Sequence, residues 1–286
     1  MKILVTGVKG QLGYDVVQEG ELQGFEMIGT DVANMDITDA RQVRTVIESC
    51  RPDVVIHCAA YTAVDAAEEY SGICRKINVD GTRNIAEICR TMDIPMIYFS
   101  TDYVFDGQGE NFWKEDDLKA PLNVYGQTKY EGELAVQELM DKYFILRISW
   151  VFGVNGSNFI KTMLRLGKER GAVSVVADQI GTPTYTHDLA KLVIEMVQTE
   201  RYGVYHVTND GICSWYEFAC EIFKQAGMDV KVTPVTTAEY PAKAKRPFNS
   251  RMSKDKLKAS GFSMLPDWKD ALERYLNALG DKTAGK

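Results

Sequence analysis

The sequence is poor in the residues that staple, coordinate or span. Its six cysteines (Cys50, Cys58, Cys74, Cys89, Cys213 and Cys220) lie far apart and none forms a Cys-x-x-Cys pair. Neither a disulfide framework nor a zinc ribbon is therefore indicated, and a reduced intracellular setting is expected. The three histidines, His57, His187 and His206, are equally dispersed, which gives a His/Cys centre no support, and no metal is expected. Long apolar runs are also missing. No stretch approaches the roughly 18 residues that a membrane span requires, and Ile3-Leu4-Val5 gives way to a glycine loop too early for a secretory core. A cytoplasmic location without a membrane partner is expected. Positive charge is not in excess: 33 Lys+Arg against 40 Asp+Glu leave −7. The nearest thing to a basic cluster, Lys243-Ala244-Lys245-Arg246, is too short to carry a duplex, so nucleic acid is excluded as a partner.

What remains is a globular chain of 286 residues, 45% hydrophobic, long enough for two lobes or one large α/β unit. Short apolar runs (Ile3–Val5, Glu26–Gly29, Val54–Ile56, Met96–Phe99) read as buried strands. Between them, 12–22, 39–50 and 66–92 carry helical periodicity, the last broken near Ser71-Gly72. The alternation continues with a helix at 126–140, a strand at 143–148, a helix at 157–169 and a strand at 173–176. Strand-helix alternation predicts an α/β fold, a doubly wound parallel sheet covered on both faces. Beyond it the pattern predicts a helix at 187–199, a strand at 203–207, a helix at 215–226, an ordered loop over 234–250, and a helix at 267–279 ending at Gly280 before a disordered polar tail. The expected division is a cofactor-binding domain over 1–176 and a smaller α/β substrate-binding lobe over 177–286, the lobe borrowing segments from both halves.

Thr6-Gly7-Val8-Lys9-Gly10-Gln11-Leu12-Gly13 lies between the first strand and the first helix. Glycines at 7, 10 and 13 permit a tight turn and close backbone approach, so a pyrophosphate can rest on helix N-terminal amides. Asp31 follows at the end of the second strand, 18 residues after Gly13, where a carboxylate can accept from a ribose 2′-hydroxyl. The same carboxylate repels a 2′-phosphate, whereas Lys9 offsets that repulsion. The cofactor expected is NADH or NADPH, with a lean to NADH.

Tyr125 and Lys129 sit four residues apart on one helical face, and Ser100-Thr101-Asp102 ends the fourth strand, where open sheets place their ligands. Together they supply a hydroxyl to hold a carbonyl, a phenol to move a proton, and an ammonium to tune the phenol. A free phenol has a pKa of ~10, and a nearby cation brings it toward neutrality. Tyr125 is expected to protonate the alkoxide that develops as nicotinamide hydride reaches a carbonyl carbon, with Thr101 bonded to the same oxygen.

The glycine loop, Asn78-Val79-Asp80-Gly81-Thr82 and Tyr125…Lys129 together resemble the extended short-chain dehydrogenase/reductase superfamily. Further blocks bring the sequence close, within it, to the dTDP-4-dehydrorhamnose reductase family: Ala59-Ala60-Tyr61-Thr62-Ala63-Val64-Asp65, Ser100-Thr101-Asp102-Tyr103-Val104-Phe105-Asp106-Gly107, Arg147-Ile148-Ser149-Trp150-Val151, Asp178-Gln179-Ile180-Gly181-Thr182-Pro183-Thr184 and Arg246-Pro247-Phe248-Asn249-Ser250-Arg251. The resemblance implies a Rossmann domain and reduction of the 4-keto group of dTDP-4-dehydro-β-L-rhamnose by NADH or NADPH. It implies Thr101, Tyr125 and Lys129 as the catalytic triad, and Gly7, Gly10, Gln11, Leu12 and Gly13 in the cofactor loop. Asp36 and Ile37 match the pair beside the adenine, Ala60, Tyr61 and Thr62 the segment along the cofactor, and Asp102, Tyr103 and Trp150 the sugar end. Arg246 is chosen as the cation for the anionic dTDP-sugar. Some members of the family dimerise through magnesium, and Asp15 stands where some carry a Glu; no metal is assigned, and the chain is expected to be a monomer or homodimer. The alternatives are a non-catalytic regulatory relative resembling the β subunit of methionine adenosyltransferase, and another sugar-nucleotide reductase or epimerase.

Several conspicuous residues have plainer readings. His57 and His206 end buried strands and read as structural. Asn78 reads as an organiser of neighbouring backbone, Ser214 as the N-cap of a helix whose aromatics, Trp215 included, pack a core, and Glu115-Asp116-Asp117 as a solvated loop.

Overall fold

The computed structural model describes residues 1–240 and 242–284. In chain order the elements are β1 (Lys2–Thr6), α1 (Gln11–Leu22), β2 (Glu26–Thr30), α2 (Ala40–Cys50), β3 (Val54–His57), α3 (Val64–Glu69), α4 (Ser71–Arg75), a π-helical segment Lys76–Gly81, α5 (Thr82–Thr91), β4 (Met96–Thr101), α6 (Val124–Leu139) and β5 (Tyr143–Ile148). They continue with β6 (Val151–Phe152), α7 (Phe159–Arg170), β7 (Ala172–Val176), β8 (Ile180–Gly181), β9 (Thr184–Tyr185), α8 (Thr186–Met196), β10 (Gly203–His206), β11 (Cys213–Ser214), α9 (Trp215–Gln225), β12 (Lys231–Val235), α10 (Asp255–Ala259) and α11 (Trp268–Ala284).

Six strands pair in parallel in the order β10-β5-β4-β3-β1-β2. This is the doubly wound sheet that the alternation predicts. Because side chains alternate across a strand, Ile3 and Val5 enter one apolar layer with Leu189, Val193 and Met196 of α8. Leu4 enters the opposite layer with Val43, Ile47, Ile85 and Ile88. Chain order reverses between β1 and β3, which opens a crevice at the carboxyl ends of the strands. A third core, built on Phe152, Ile160, Phe218, Phe223, Leu272 and Tyr275, lies apart from the other two, served by the short pairs β6–β9, β8–β11 and β7–β12.

Some segments differ from expectation. The 66–92 helix breaks at Tyr70, beside the expected Ser71-Gly72 break, which closes α3 and opens α4; the π segment that follows departs from expectation. Lys231–Val235 pairs with β7, so the first two residues of the expected loop belong to a strand; exposed on most positions, β12 lacks an alternating apolar signal. The last helix runs through Gly280 to Ala284: glycine costs about 1 kcal/mol inside a helix but does not oblige it to stop. Of the tail expected to be disordered, Gly285 and Lys286 lie outside the described residues. The second half of the chain also contributes to the main sheet, since α8 packs in its apolar layer and β10 pairs with β5.

Candidate active site

The crevice is a cavity of about 880 Å³. Its floor begins with the glycine loop: Gly7, Gly10, Gln11, Leu12 and Gly13 all line it. Gly7 has φ +69°, and a Cβ there would come within 2.8 Å of the Ala59 backbone. A Cβ on Gly13 would collide with the Gly7 carbonyl. Gly10 caps α1 without any side-chain hydrogen bond, so the first helical turn is left open to the cavity. The Gln11 side chain instead accepts from Gly153 N (2.8 Å) and Asn158 Nδ2 (3.0 Å), tying the loop to the distal core.

Asp31 lines the cavity beside Thr30 and Val32. Its carboxylate pairs with Lys9 at 2.5 Å and accepts from Ala33 N at 2.8 Å, and the Lys9 contact holds it below the usual carboxylate range. Asp36 and Ile37 also line the cavity. Asp36 is bonded to Thr38, whose N and Oγ1 both donate to Oδ1 at 2.9 Å. Ala60 and Thr62 face the cavity, whereas Tyr61 is absent from its wall. Its contribution is backbone: Asn78 Oδ1 accepts from Tyr61 N (2.8 Å) and Asn78 Nδ2 donates to Tyr61 O (3.1 Å).

Thr101, Asp102, Tyr103, Tyr125 and Lys129 share the same wall. Asn123 caps α6 by accepting from Gly126 N at 2.8 Å, which places Tyr125 and Lys129 on its first turns facing the end of β4. A Cβ on Gly126 would run into the Tyr103 carbonyl, so glycine allows the two segments to meet. Tyr103 packs edge-on against Tyr125 at 5.6 Å. Thr101 Oγ1 donates to Asp102 Oδ1 (3.0 Å) and accepts from Tyr103 N (3.2 Å). Burial drives the Tyr125 phenol above its ordinary range, and a hydrogen bond with Thr101 is the group that opposes it. Lys129, 3% exposed, is pushed down to about 7 by desolvation, with Glu133 partly offsetting. Asp102, 1% exposed, is pushed up to about 6 by desolvation, against hydrogen bonds from Ser250 and Thr101.

Trp150 lines the cavity with φ +48°, a conformation unusual for a bulky residue, and its indole stacks on Trp215 at 3.7 Å between centroids. Arg246 is placed differently. Its guanidinium is engaged by Asp65 at 2.7 and 3.1 Å and by the Ala244 carbonyl, and it does not figure in the cavity wall. Asp15, in the first helix where some family members carry a Glu, accepts from the Thr186 hydroxyl. Among the described residues no group of three or more His, Cys, Asp or Glu is placed to hold a metal, and no helix is long and apolar enough to cross a membrane.

The profile of the family described as RmlD substrate binding domain matches residues 1–280. The dTDP-4-dehydrorhamnose reductase of Aggregatibacter actinomycetemcomitans is 41% identical, over 95% of this chain and 97% of that one. The chain belongs to the dTDP-4-dehydrorhamnose reductase family. A crystal structure of the family's Clostridium acetobutylicum member superposes with TM-score 0.96 at 44% identity, covering 98% of this chain and 100% of the other. That of the Bacillus anthracis member, in complex with NADP, gives 0.95 at 45%, covering 97% and 99%.

The structure gives a place in the site to two residues that the sequence left without one, Trp215 and Ser250, and places Asn78 as expected. Trp215, at the start of α9 where Ser214 and Glu217 form a capping box, packs against the third core as expected and also enters the cavity wall, a second role for which an aromatic at a helix start gives no signal. Asn78 is buried and bonded to Tyr61, Thr128 and Cys74, the organising position expected of it. Ser250 reaches Asp102 from 148 residues away, a distance over which single-sequence periodicity carries no signal. His57 and His206 are buried and hydrogen-bonded, consistent with structural roles. Glu115 departs from the solvated-loop reading, since its carbonyl accepts from Arg147 and its carboxylate from His206 N.

Proposed function

We propose that this chain reduces the 4-keto group of dTDP-4-dehydro-β-L-rhamnose to the alcohol, giving dTDP-L-rhamnose, with NADH or NADPH. The observation that carries the reading is the convergence of Thr101, Tyr125 and Lys129 on the cavity that the glycine loop floors, in a chain of this family. A dinucleotide fits the residues present: an α1 N-terminus without a side-chain cap suits a pyrophosphate, and the Asp31–Lys9 pair suits a ribose edge. When bound, the nicotinamide supplies the hydride. Gly7, Gly10, Gln11, Leu12 and Gly13 hold the phosphates, Asp31 the ribose, Asp36 and Ile37 the adenine, and Ala60, Tyr61 and Thr62 the flank.

Tyr125 is the proton donor. Its raised proton affinity keeps the phenol protonated at neutral pH, which is the state required to deliver a proton to the substrate oxygen during reduction. Thr101 hydrogen-bonds that oxygen, and Lys129 supplies positive charge beside it and grips ribose hydroxyls. Asp102, Tyr103 and Trp150 take the sugar end. Arg246, held by Asp65, is assigned to the anionic end of the substrate only if it exchanges that partner. The main sheet with α8, β10 and α10 forms the cofactor unit and the third core the substrate unit, so the division near 176 is crossed in both directions, β6, α7 and β7 joining the third core from before it. The reading extends to a cytoplasmic monomer or homodimer.

On cofactor choice, Asp31 favours NADH, and the paired Lys9 keeps NADPH usable. The test mixes the protein with the enzymatically generated 4-keto sugar nucleotide and each cofactor, following the nicotinamide absorbance. Substrate-dependent oxidation with kcat/KM favouring NADH is expected. Cofactor binding without turnover would instead favour a regulatory protein, and a tenfold preference for NADPH would remove the role given to Asp31.

A further inference from the structure

Lys129 is a buried cation without a buried anion to match it. Among the described residues no carboxylate lies within ion-pair distance of its ammonium; Glu133, one turn along α6, is bonded through both oxygens to the buried Arg147. What does face the ammonium is the ring of Tyr98, with the nitrogen 4.1 Å from its centroid. Tyr98 is fully buried in β4, and its hydroxyl donates to the main-chain carbonyl of Lys129 itself at 3.1 Å. One aromatic residue therefore touches both the backbone and the charged tip of Lys129. Gly132 makes this possible, because any Cβ there would run into the Tyr98 hydroxyl.

His57 also stacks on the ring, at 5.9 Å and 30°. The hydrogen bonds fix its state. Thr82 Oγ1 donates to the Asn78 carbonyl (2.8 Å), so toward His57 Nε2 (3.2 Å) it accepts. Nε2 therefore carries the proton, and Nδ1 accepts from Thr6 Oγ1 at 2.8 Å, an oxygen that itself accepts from Ala59 N. Desolvation and the Lys129 charge hold the imidazole neutral, down to about 3. A second cation thus never competes with Lys129 for the π face.

We propose that Tyr98 is a positioning residue for Lys129, its ring face holding the ammonium against the cavity wall and its hydroxyl pinning the same residue's backbone, with neutral His57 stacked on the ring. The functional weight of this rests on the role given to Lys129 above. The physical claim does not. The titratable groups facing Lys129 are Glu133 on its own helix, Cys74 of α4, Cys58 and His57 at the end of β3, and Tyr98 of β4.

The test is trace acetylation of Lys129 in the intact protein as a function of pH, read by mass spectrometry, which needs neither cofactor nor turnover. Wild-type protein is expected to titrate near 7. Tyr98→Phe keeps the face and should leave that midpoint in place. Tyr98→Leu should lower it by about one pH unit, since a desolvated cation–π contact is worth that much and its loss disfavours the charged form. Stepwise fluorination of a phenylalanine at position 98 weakens the π face at nearly constant volume, and should lower the midpoint stepwise even if the leucine variant does not fold. A midpoint that stays put across the fluorinated series, or rises in Tyr98→Leu as water enters, overturns the assignment. If wild-type protein lacks reductase activity while the titration follows the ring, the proposed function falls and this inference stands.

Discussion

Two side chains at the end of β4 and the start of α6 carry opposite protonation problems. Tyr125 must release a proton that burial tells it to keep, so its contribution is kinetic and depends on the oxygen that receives the proton. Replacing it with phenylalanine removes the donor and little else; kcat is expected to fall roughly 10²–10⁴-fold with cofactor affinity unchanged, and near-normal turnover would refute the assignment. Asp102 is a thermodynamic matter. Its folded pKa of about 6 lies above an unfolded value of about 3.9. Between those values the native state holds a proton that the unfolded state has released. Its contribution to stability is therefore present below about pH 4, is lost as pH rises toward 6, and stays lost above, a change of about 3 kcal/mol. Urea unfolding of wild type and Asp102→Asn at pH 4, 5, 6 and 7 should give a stability difference that grows in the variant's favour with pH. Curves that run parallel would mean that Ser250 and Thr101 hold the carboxylate ionised throughout.

At the scale of elements, the main sheet and the helices α7, α9 and α11 are legible in the sequence and the short strand pairs of the substrate side are not, for a physical reason. Strands buried on both faces are continuous apolar runs, and β1, β3, β4 and β5 each announce themselves that way, as does the glycine loop by its place after β1. The short pairs β6–β9 and β8–β11 involve two residues per strand, too few to show a period. Arg246 was chosen for its charge alone, and its partner Asp65 lies 181 residues back. Trp215 packs the third core as its helix position implies, but N-capping by Ser214 fixes where a helix starts and not that its first aromatic also borders a cavity. That aromatic stacks on Trp150, a residue held at φ +48°, a conformation that costs on the order of 1–2 kcal/mol and persists only where surroundings enforce it. Trp215→Ala removes one such enforcer. An aromatic pair is worth about 0.5–1.5 kcal/mol beyond area, so KM for the sugar nucleotide should rise about three- to tenfold while KM for the cofactor holds. A change confined to the cofactor would place Trp215 on the wrong side of the cavity.

For the molecule as a whole, the relevant quantity is its formal charge of −7, set against two ligands that are both anionic. The cations in and around the cavity do little to reverse that field at a distance: Lys9 is neutralised by Asp31, Arg246 by Asp65, and Lys129 is only partly ionised near neutral pH. Among the described residues this leaves Lys76, on the cavity wall, as the one exposed cation of the group without an ion-pair partner. Attraction must then be short-ranged, through loop amides and a helix terminus, while approach from solution is opposed by the protein's overall charge. Screening separates these two contributions. Raising ionic strength from about 0.01 M to about 0.1 M shortens the Debye length from ~30 Å to ~10 Å, which removes the long-range repulsion and leaves contacts inside the cavity almost untouched. The expected result is a kcat/KM for the sugar nucleotide that rises roughly two- to fivefold over that range. The rise should be steeper with NADPH than with NADH as the varied ligand, because the 2′-phosphate adds charge. A steady fall with salt would mean that local cations outweigh the overall charge, with Lys76 on the cavity wall as the first candidate; Lys76→Gln would then flatten the dependence.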